Sequence, residues 1–220
     1  MASVYYKNRT EAGYKAAQEL LKNGTTSNST VISLTTDAAM VAVQLATALR
    51  CPLQLFLSKE VKVPGNFIVG STNQEGTFGY RTDMGAGFDD YFYQEFRTYI
   101  EQGTRESFSQ INQELSGKTV FRKDLMAKRD IYVVIDCLES VAPLDSFFES
   151  IKTVVFNKMV FCAPIAMSET MGHIQQKSDR YFVDGVIDFF FGVDHYFEDN
   201  SVIPREEVID KISSSLKLWP

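Results

Sequence analysis

Cysteine is scarce. The 220 residues hold three, Cys51, Cys137 and Cys162, far apart and without Cys-x-x-Cys spacing. That excludes a disulfide framework and a cysteine-rich zinc site, and predicts reduced thiols in a cytoplasmic protein. Histidine is scarcer still. His173 and His195 come without a clustered Cys/His/Asp partner set, so neither a metal site nor a Ser/His/Asp triad has sequence support. Long apolar runs are missing: none approaches the roughly 18 residues of a membrane span. Residues 1–24 mix Lys7, Arg9, Glu11, Lys15 and Glu19 among apolar positions, unlike a secretory signal, so the Asn-x-Ser/Thr triplets at Asn8, Asn23 and Asn28 are chance matches. Positive charge is in deficit, 22 Lys and Arg against 28 Asp and Glu, for a net charge of −6. Nucleic acid or an anionic membrane would be repelled overall, although a local basic pocket for a small anion is not excluded. The cations Arg122, Lys123, Lys128 and Arg129 read as a solvated loop before a strand.

What is present is the make-up of a soluble globular chain, 45% apolar and 23% charged, long enough to bury one sizeable core. Residues 9–22 place Ala12, Ala16, Ala17, Leu20 and Leu21 at helical spacing, and Asn23-Gly24 stops them. A β-branched run at 30–36, an alanine-rich helix at 38–50 with Asp37 as its cap, and LQLFL at 53–57 form a strand–helix–strand unit. Such units belong to parallel sheets covered on both faces. The rhythm resumes at 131–136 (IYVVID), with a helix near 143–152, a strand at 158–166, a helix near 168–177, a strand at 180–187 and a last helix at 205–216.

Between them the pattern is irregular. Residues 65–87 carry six of the 13 glycines, with strand candidates at 67–71 and 77–81 that suggest a hairpin, and 89–115 reads as one long helix or two. Phe88, Tyr91, Phe92, Tyr93, Phe96 and Tyr99 crowd that stretch, either as core or, if Phe92, Phe96 and Tyr99 share an exposed face, as a homodimer surface. The expectation is a single α/β domain over 1–220: a mostly parallel open sheet with flanking helices and a small irregular lobe at about 58–115.

Ligands of open α/β sheets bind where loops leave the carboxyl ends of strands. Three such loops stand out: 35–38, 58–60 and 136–143. Their candidate ligand-binding residues are Thr35, Thr36, Lys59, Asp136, Glu139 and Ser140. Backbone N–H groups and glycines usually hold phosphate there, yet 136–143 has no glycine and Pro143 lacks a donor. Asp136 and Ser140 can equally finish a strand and cap a helix. Cys137 is the one thiol placed for reactivity, with a small buried hydrophobe as its plainer reading.

Here the chain resembles the predicted type I phosphoribosyltransferases of bacteria over nearly its whole length. NRTEAG at 8–13 with Leu20 and Leu21 is similar to that family's opening helix, and 31–49 resembles its strand, pyrophosphate loop and helix. Residues 52–76 resemble its basic strand followed by Pro-Gly-Asn and a hairpin. IYVVID resembles the strand entering the phosphoribosyl diphosphate loop, 159–166 the next strand, and 189–208 the acidic tail. The resemblance implies an α/β phosphoribosyltransferase-like fold, a phosphorylated small-molecule ligand and, if activity is retained, Mg²⁺ and transfer from phosphoribosyl diphosphate to a nucleobase-like acceptor.

The departures from the family fall on functional positions. Its diphosphate loop has two adjacent acids before a Thr-Gly-Ala-Thr-like turn; here Asp136 is kept, Cys137 replaces the second acid, and the turn is Val141-Ala142-Pro143-Leu144. Its Arg-Gly-Gly pyrophosphate loop becomes Thr36-Asp37-Ala38, which exchanges a cation for an anion. Its basic pair is reduced to Ser58-Lys59. Because this catalysis depends on holding and neutralising phosphates, the changes imply a divergent protein without ordinary transfer, a binding, regulatory or scaffold module. The alternative is an enzyme that still uses Asp136, Lys59 and a repositioned loop. A third reading is a different small anion held by Thr35, Thr36 and Ser140.

Overall fold

The computed structural model describes residues 5–22, 28–83 and 90–219. The stop expected at Asn23-Gly24 and the aromatic Phe88 lie outside the described residues. Along the chain run α1 (Arg9–Leu21), β1 (Ser29–Ser33), α2 (Ala39–Leu49), β2 (Leu53–Leu55), β3 (Ser58–Val63), β4 (Phe67–Asn73), β5 (Phe78–Tyr80), α3 (Asp90–Glu95) and α4 (Arg97–Leu115). Then follow β6 (Asp130–Val134), β7 (Cys137–Leu138), α5 (Ala142–Ile151), β8 (Lys158–Met167), α6 (Met171–Lys177), β9 (Arg180–Ile187) and α7 (Arg205–Leu216). The contacts divide them into two compact units, 1–55 with 118–139 and 154–220, and 56–117 with 140–153.

The first unit is the expected α/β sheet. Its order is β2-β1-β6-β8, with β9 on the far side of β8 and every pairing parallel. The ten-residue β8 is the spine: β6 runs beside its first half, and the two-residue β7 beside Ile165 and Ala166. All residues of β1 and β6 are buried, as a strand covered on both faces requires. On one face α1 and α2 bring Ala16, Leu20, Val41 and Leu45 against Val31, Tyr132, Val160 and Phe182. Asn8 starts α1 by accepting the Glu11 N–H at 3.0 Å, while the Glu11 carboxylate accepts the Lys7 N–H. α1 crosses close to α2 at Gly13, where a Cβ would stand 2.7 Å from the Val41 carbonyl oxygen. Among the described residues no helix is long and apolar enough to cross a membrane.

The second unit is built on an antiparallel sheet, β3-β4-β5, with α4 and α5 packed on it. The hairpin expected at 67–81 is present. Its outer strand β3, however, falls on SKEVKV, where a loop was expected. The alternation of Val61 and Val63 (buried) with charged neighbours is a half-buried strand pattern that only the pairing with β4 makes plain. The 89–115 segment breaks at Phe96 into α3 and α4. Phe92 and Phe96 pack half-buried against Val61, Val63, Val69 and Ile100, and Tyr99 is 52% exposed, so the three do not form one exposed stripe.

Candidate functional site

In the first unit β1 and β6 lie side by side, and their carboxyl ends bring Thr35, Thr36 and Asp37 beside Asp136. The Leu34 N–H bonds the Val134 carbonyl, continuing the ladder to the point where both chains turn. After β1, Ser33 Oγ donates to the Thr35 carbonyl, and Thr35 Oγ1 accepts the Ala38 N–H at 3.0 Å. The next two N–H groups, of Ala39 and Met40, bond back to the carbonyls of Thr36 and Asp37 at 3.3 Å. Asp37 does not cap α2 as expected. Ala38 holds the cap position without a side-chain bond, because Thr35 has already closed the turn, and Asp37 instead accepts from the Thr36 hydroxyl. The N–H groups of Ala38, Ala39 and Met40, which could have cradled a phosphate at this helix entrance, are therefore engaged within the turn.

Asp136 was expected to close its strand directly before a helix. Instead β7 follows it at once, because β8 runs on far enough to pair with Cys137 and Leu138, and α5 starts only at Ala142. Asp136 is 5% exposed, and its carboxylate accepts a hydrogen bond from Arg9 Nε at 2.9 Å. Arg9 enters from the first turn of α1, is itself 3% exposed, and lays its guanidinium 4.8 Å from the centre of the Phe197 ring. Its Nη1 is buried without a hydrogen-bond partner among the described residues. Burial pushes the Asp136 carboxyl above the ordinary carboxylate range; Arg9 pulls it back, and the negative charge of Asp37 raises it again. Cys137 is buried, and burial pushes its thiol up to about 12, with Asp136 and Glu139 adding to the effect, which fits the plainer reading of a buried hydrophobe over that of a reactive thiol. Glu139 is exposed at the end of this stretch.

Ser140 and Lys59 belong to the second unit. Ser140 Oγ accepts the Ala142 N–H at 3.2 Å, the Asp145 N–H bonds the Val141 carbonyl at 2.9 Å, and Pro143 offers no donor. Ser140 thus holds one N–H at the entrance to α5, while Val141 takes the cap position without a side-chain bond. Lys59 lies within β3, not in a loop, and its ammonium is paired with Glu114 at 2.7 Å and bonds Gln110 at 3.2 Å, both on α4.

Sequence reasoning weighed Asp136 but not Arg9. Arg9 stood in the NRTEAG segment beside the helix cap Asn8, but its partner lies 127 residues away. The surroundings of Asp136 do not suit Mg²⁺, a hard cation that needs oxygen ligands and waters, because the carboxylate is buried against a guanidinium. Among the described residues no group of three or more His, Cys, Asp or Glu side chains could hold a metal ion.

No family model matches the chain, and no curated protein matches its sequence. Among solved structures, TT1426 from Thermus thermophilus superposes with a TM-score of 0.73 at 18% identity, covering 96% of this chain and 99% of that one. At that identity the likeness is one of fold. A hypoxanthine phosphoribosyltransferase from Staphylococcus aureus aligns with a TM-score of 0.47 and 9% identity, over 85% of this chain and 77% of that one. A purine phosphoribosyltransferase from Pyrococcus horikoshii aligns at 0.46 and 11%, over 85% and 90%. Superpositions that loose carry no structural argument.

Proposed function

We propose that the chain is a phosphoribosyltransferase-like protein that has lost ordinary phosphoribosyl transfer and serves as a small-ligand-binding, regulatory or scaffold module. The observation that carries this reading is the state of Asp136. An acid that contacts ribose hydroxyls must offer its oxygens to a ligand, whereas this one is 5% exposed and bonded to a buried arginine. Two further features support the loss. The helix entrance after β1 spends the N–H groups of Ala38, Ala39 and Met40 within its own turn, and Asp37 puts a negative charge where a diphosphate would need a positive one. The ligand class proposed for the module, a phosphorylated small molecule, comes from the family resemblance; at this entrance Thr35 accepts from the Ala38 N–H and keeps a hydroxyl proton to donate. A reducing, cytoplasmic setting fits the free Cys51, Cys137 and Cys162.

Calorimetric titration with phosphoribosyl diphosphate and Mg²⁺ tests the proposal. No saturable heat is expected at millimolar ligand. Saturable Mg²⁺-dependent binding by the wild-type chain, abolished in Asp136→Asn, would show an open carboxylate and restore the transferase reading.

A further inference from the structure

The first unit contains a cavity of about 490 Å³ framed by α2, β2 and α7, within the size range of small-molecule sites. It lies by Cys51 and Leu53, at the amino end of β2, whereas Asp136 follows the carboxyl end of β6. Its wall is apolar: Val43, Ala46, Leu53, Ile212 and Trp219. Val43 is 41% exposed on the outer turn of α2, an aliphatic side chain that the fold leaves uncovered.

The polar side chains on the lining are two cations, Arg50 and Lys211, two hydroxyls, Thr47 and Ser215, and the Cys51 thiol. Thr47 uses its hydroxyl on the Val43 carbonyl, and Lys211 is paired with Glu207 one turn earlier on α7. Arg50 and Ser215 have no side-chain partner among the described residues. Arg50 closes α2 in the left-handed conformation, φ 51°, and its backbone N–H caps the helix by bonding the carbonyls of Ala46 and Thr47. That backbone role fixes where the guanidinium leaves the chain, at the rim of an apolar cavity with no carboxylate among its described lining residues. The positive charge of Arg129 also reaches Cys51 on the wall. Burial pushes the Cys51 thiol up to about 12, which removes a covalent role for it near neutral pH.

An apolar wall with an aromatic ring, and one guanidinium and one hydroxyl without side-chain partners among the described residues, calls for a ligand with the opposite arrangement: a flat apolar body and one anionic end. We propose that this cavity binds small aromatic carboxylates, the carboxylate on Arg50 and the ring against Trp219 and Ile212. The site is distinct from the Asp136 region and does not depend on the transferase-like reading. Binding there ties the end of α2 to α7 and so stabilises the first unit.

Trp219 is the chain's single tryptophan, so intrinsic fluorescence reports this cavity directly. The probe is 3-phenylpropionate, compared with neutral 3-phenylpropanol and with inorganic phosphate. The expected result is a saturable change in emission with the carboxylate, at least tenfold weaker binding of the alcohol and no response to phosphate. Arg50→Gln should weaken carboxylate binding about tenfold, the loss of one charge-assisted bidentate contact, while Arg50→Lys recovers part of it. A linear, non-saturable response, equal affinity for acid and alcohol, or Arg50→Gln binding like the wild type would each overturn the proposal. If Arg50→Gln does not fold, the comparison of acid with alcohol on the wild-type chain decides alone.

Discussion

The ion pair between Arg9 and Asp136 offers the sharpest test of what the first unit is built to do. Both side chains are almost fully buried and meet at 2.9 Å. Removing one partner leaves the other charged in an apolar setting, which costs about 3–5 kcal/mol. Replacing both with apolar residues of similar volume removes the desolvation cost together with the attraction, and is often neutral or stabilising by about 1–4 kcal/mol. Arg9→Met should therefore cost about 3–5 kcal/mol, and Arg9→Met/Asp136→Leu should recover most of that loss. Methionine keeps a flexible apolar contact with Phe197, so the single variant loses chiefly the charge. The pH dependence has a definite sign. In Arg9→Met, burial and Asp37 still raise the Asp136 pKa, and the lowering influence of Arg9 is gone. A carboxyl whose folded pKa lies above its unfolded value of about 3.9 is not penalised below that value, where both states are protonated. The penalty grows as pH rises toward the folded pKa. The stability gap between Arg9→Met and wild type should thus be small near pH 4 and full near pH 8. Urea unfolding at both pH values, followed by Trp219 fluorescence for the first unit, measures it. A gap under about 1 kcal/mol at pH 8, on a scale where breaking a buried pair costs several, would mean that the carboxylate is hydrated and open, and would refute the sealed-acid argument.

Other consequences are simpler. Gly13→Ala should destabilise the chain by about 1–3 kcal/mol, because the added Cβ would stand 2.7 Å from the Val41 carbonyl oxygen and backbone cannot move aside cheaply. Gly172→Ala is its control: nothing lies within 4 Å of a Cβ there, and the residue is in α6, so a gain of about 0.5–1 kcal/mol is expected in thermal unfolding. With its thiol near 12 instead of 9.0, Cys51 should react with iodoacetamide at pH 8 roughly a thousandfold more slowly than a free cysteine; labelling in minutes would contradict its burial.

How much was legible from the chain depended on the range of the interactions that form each part. Helices α1, α2 and α7 were plain because their apolar spacing lies within one segment, and the runs in β1, β6 and β8 were plain because strands buried on both faces must be apolar throughout. β3 was not, since a strand of alternating charges and valines can be told from a loop only by the strand it pairs with. β7 is two residues long and exists because β8 outruns β6. The candidate residues divided along the same line. Thr35 and Ser140 act as local turn acceptors, as residues of their type near a helix entrance predict.

The sequence by itself determined the class of fold, the order of its main elements and the lack of glycine in the candidate ligand loops at 35–38, 58–60 and 136–143. Those are properties of composition and short-range pattern, and they do not change when the chain folds. Only the tertiary structure decided that Asp136 is sealed against Arg9, that Lys59 is held by Glu114, and that Arg50, without an ion-pair partner among the described residues, stands beside an apolar cavity. The reason is physical. What a charged side chain can do depends on its distance from other charges and from water, and for Asp136 that distance is set by a residue 127 positions away.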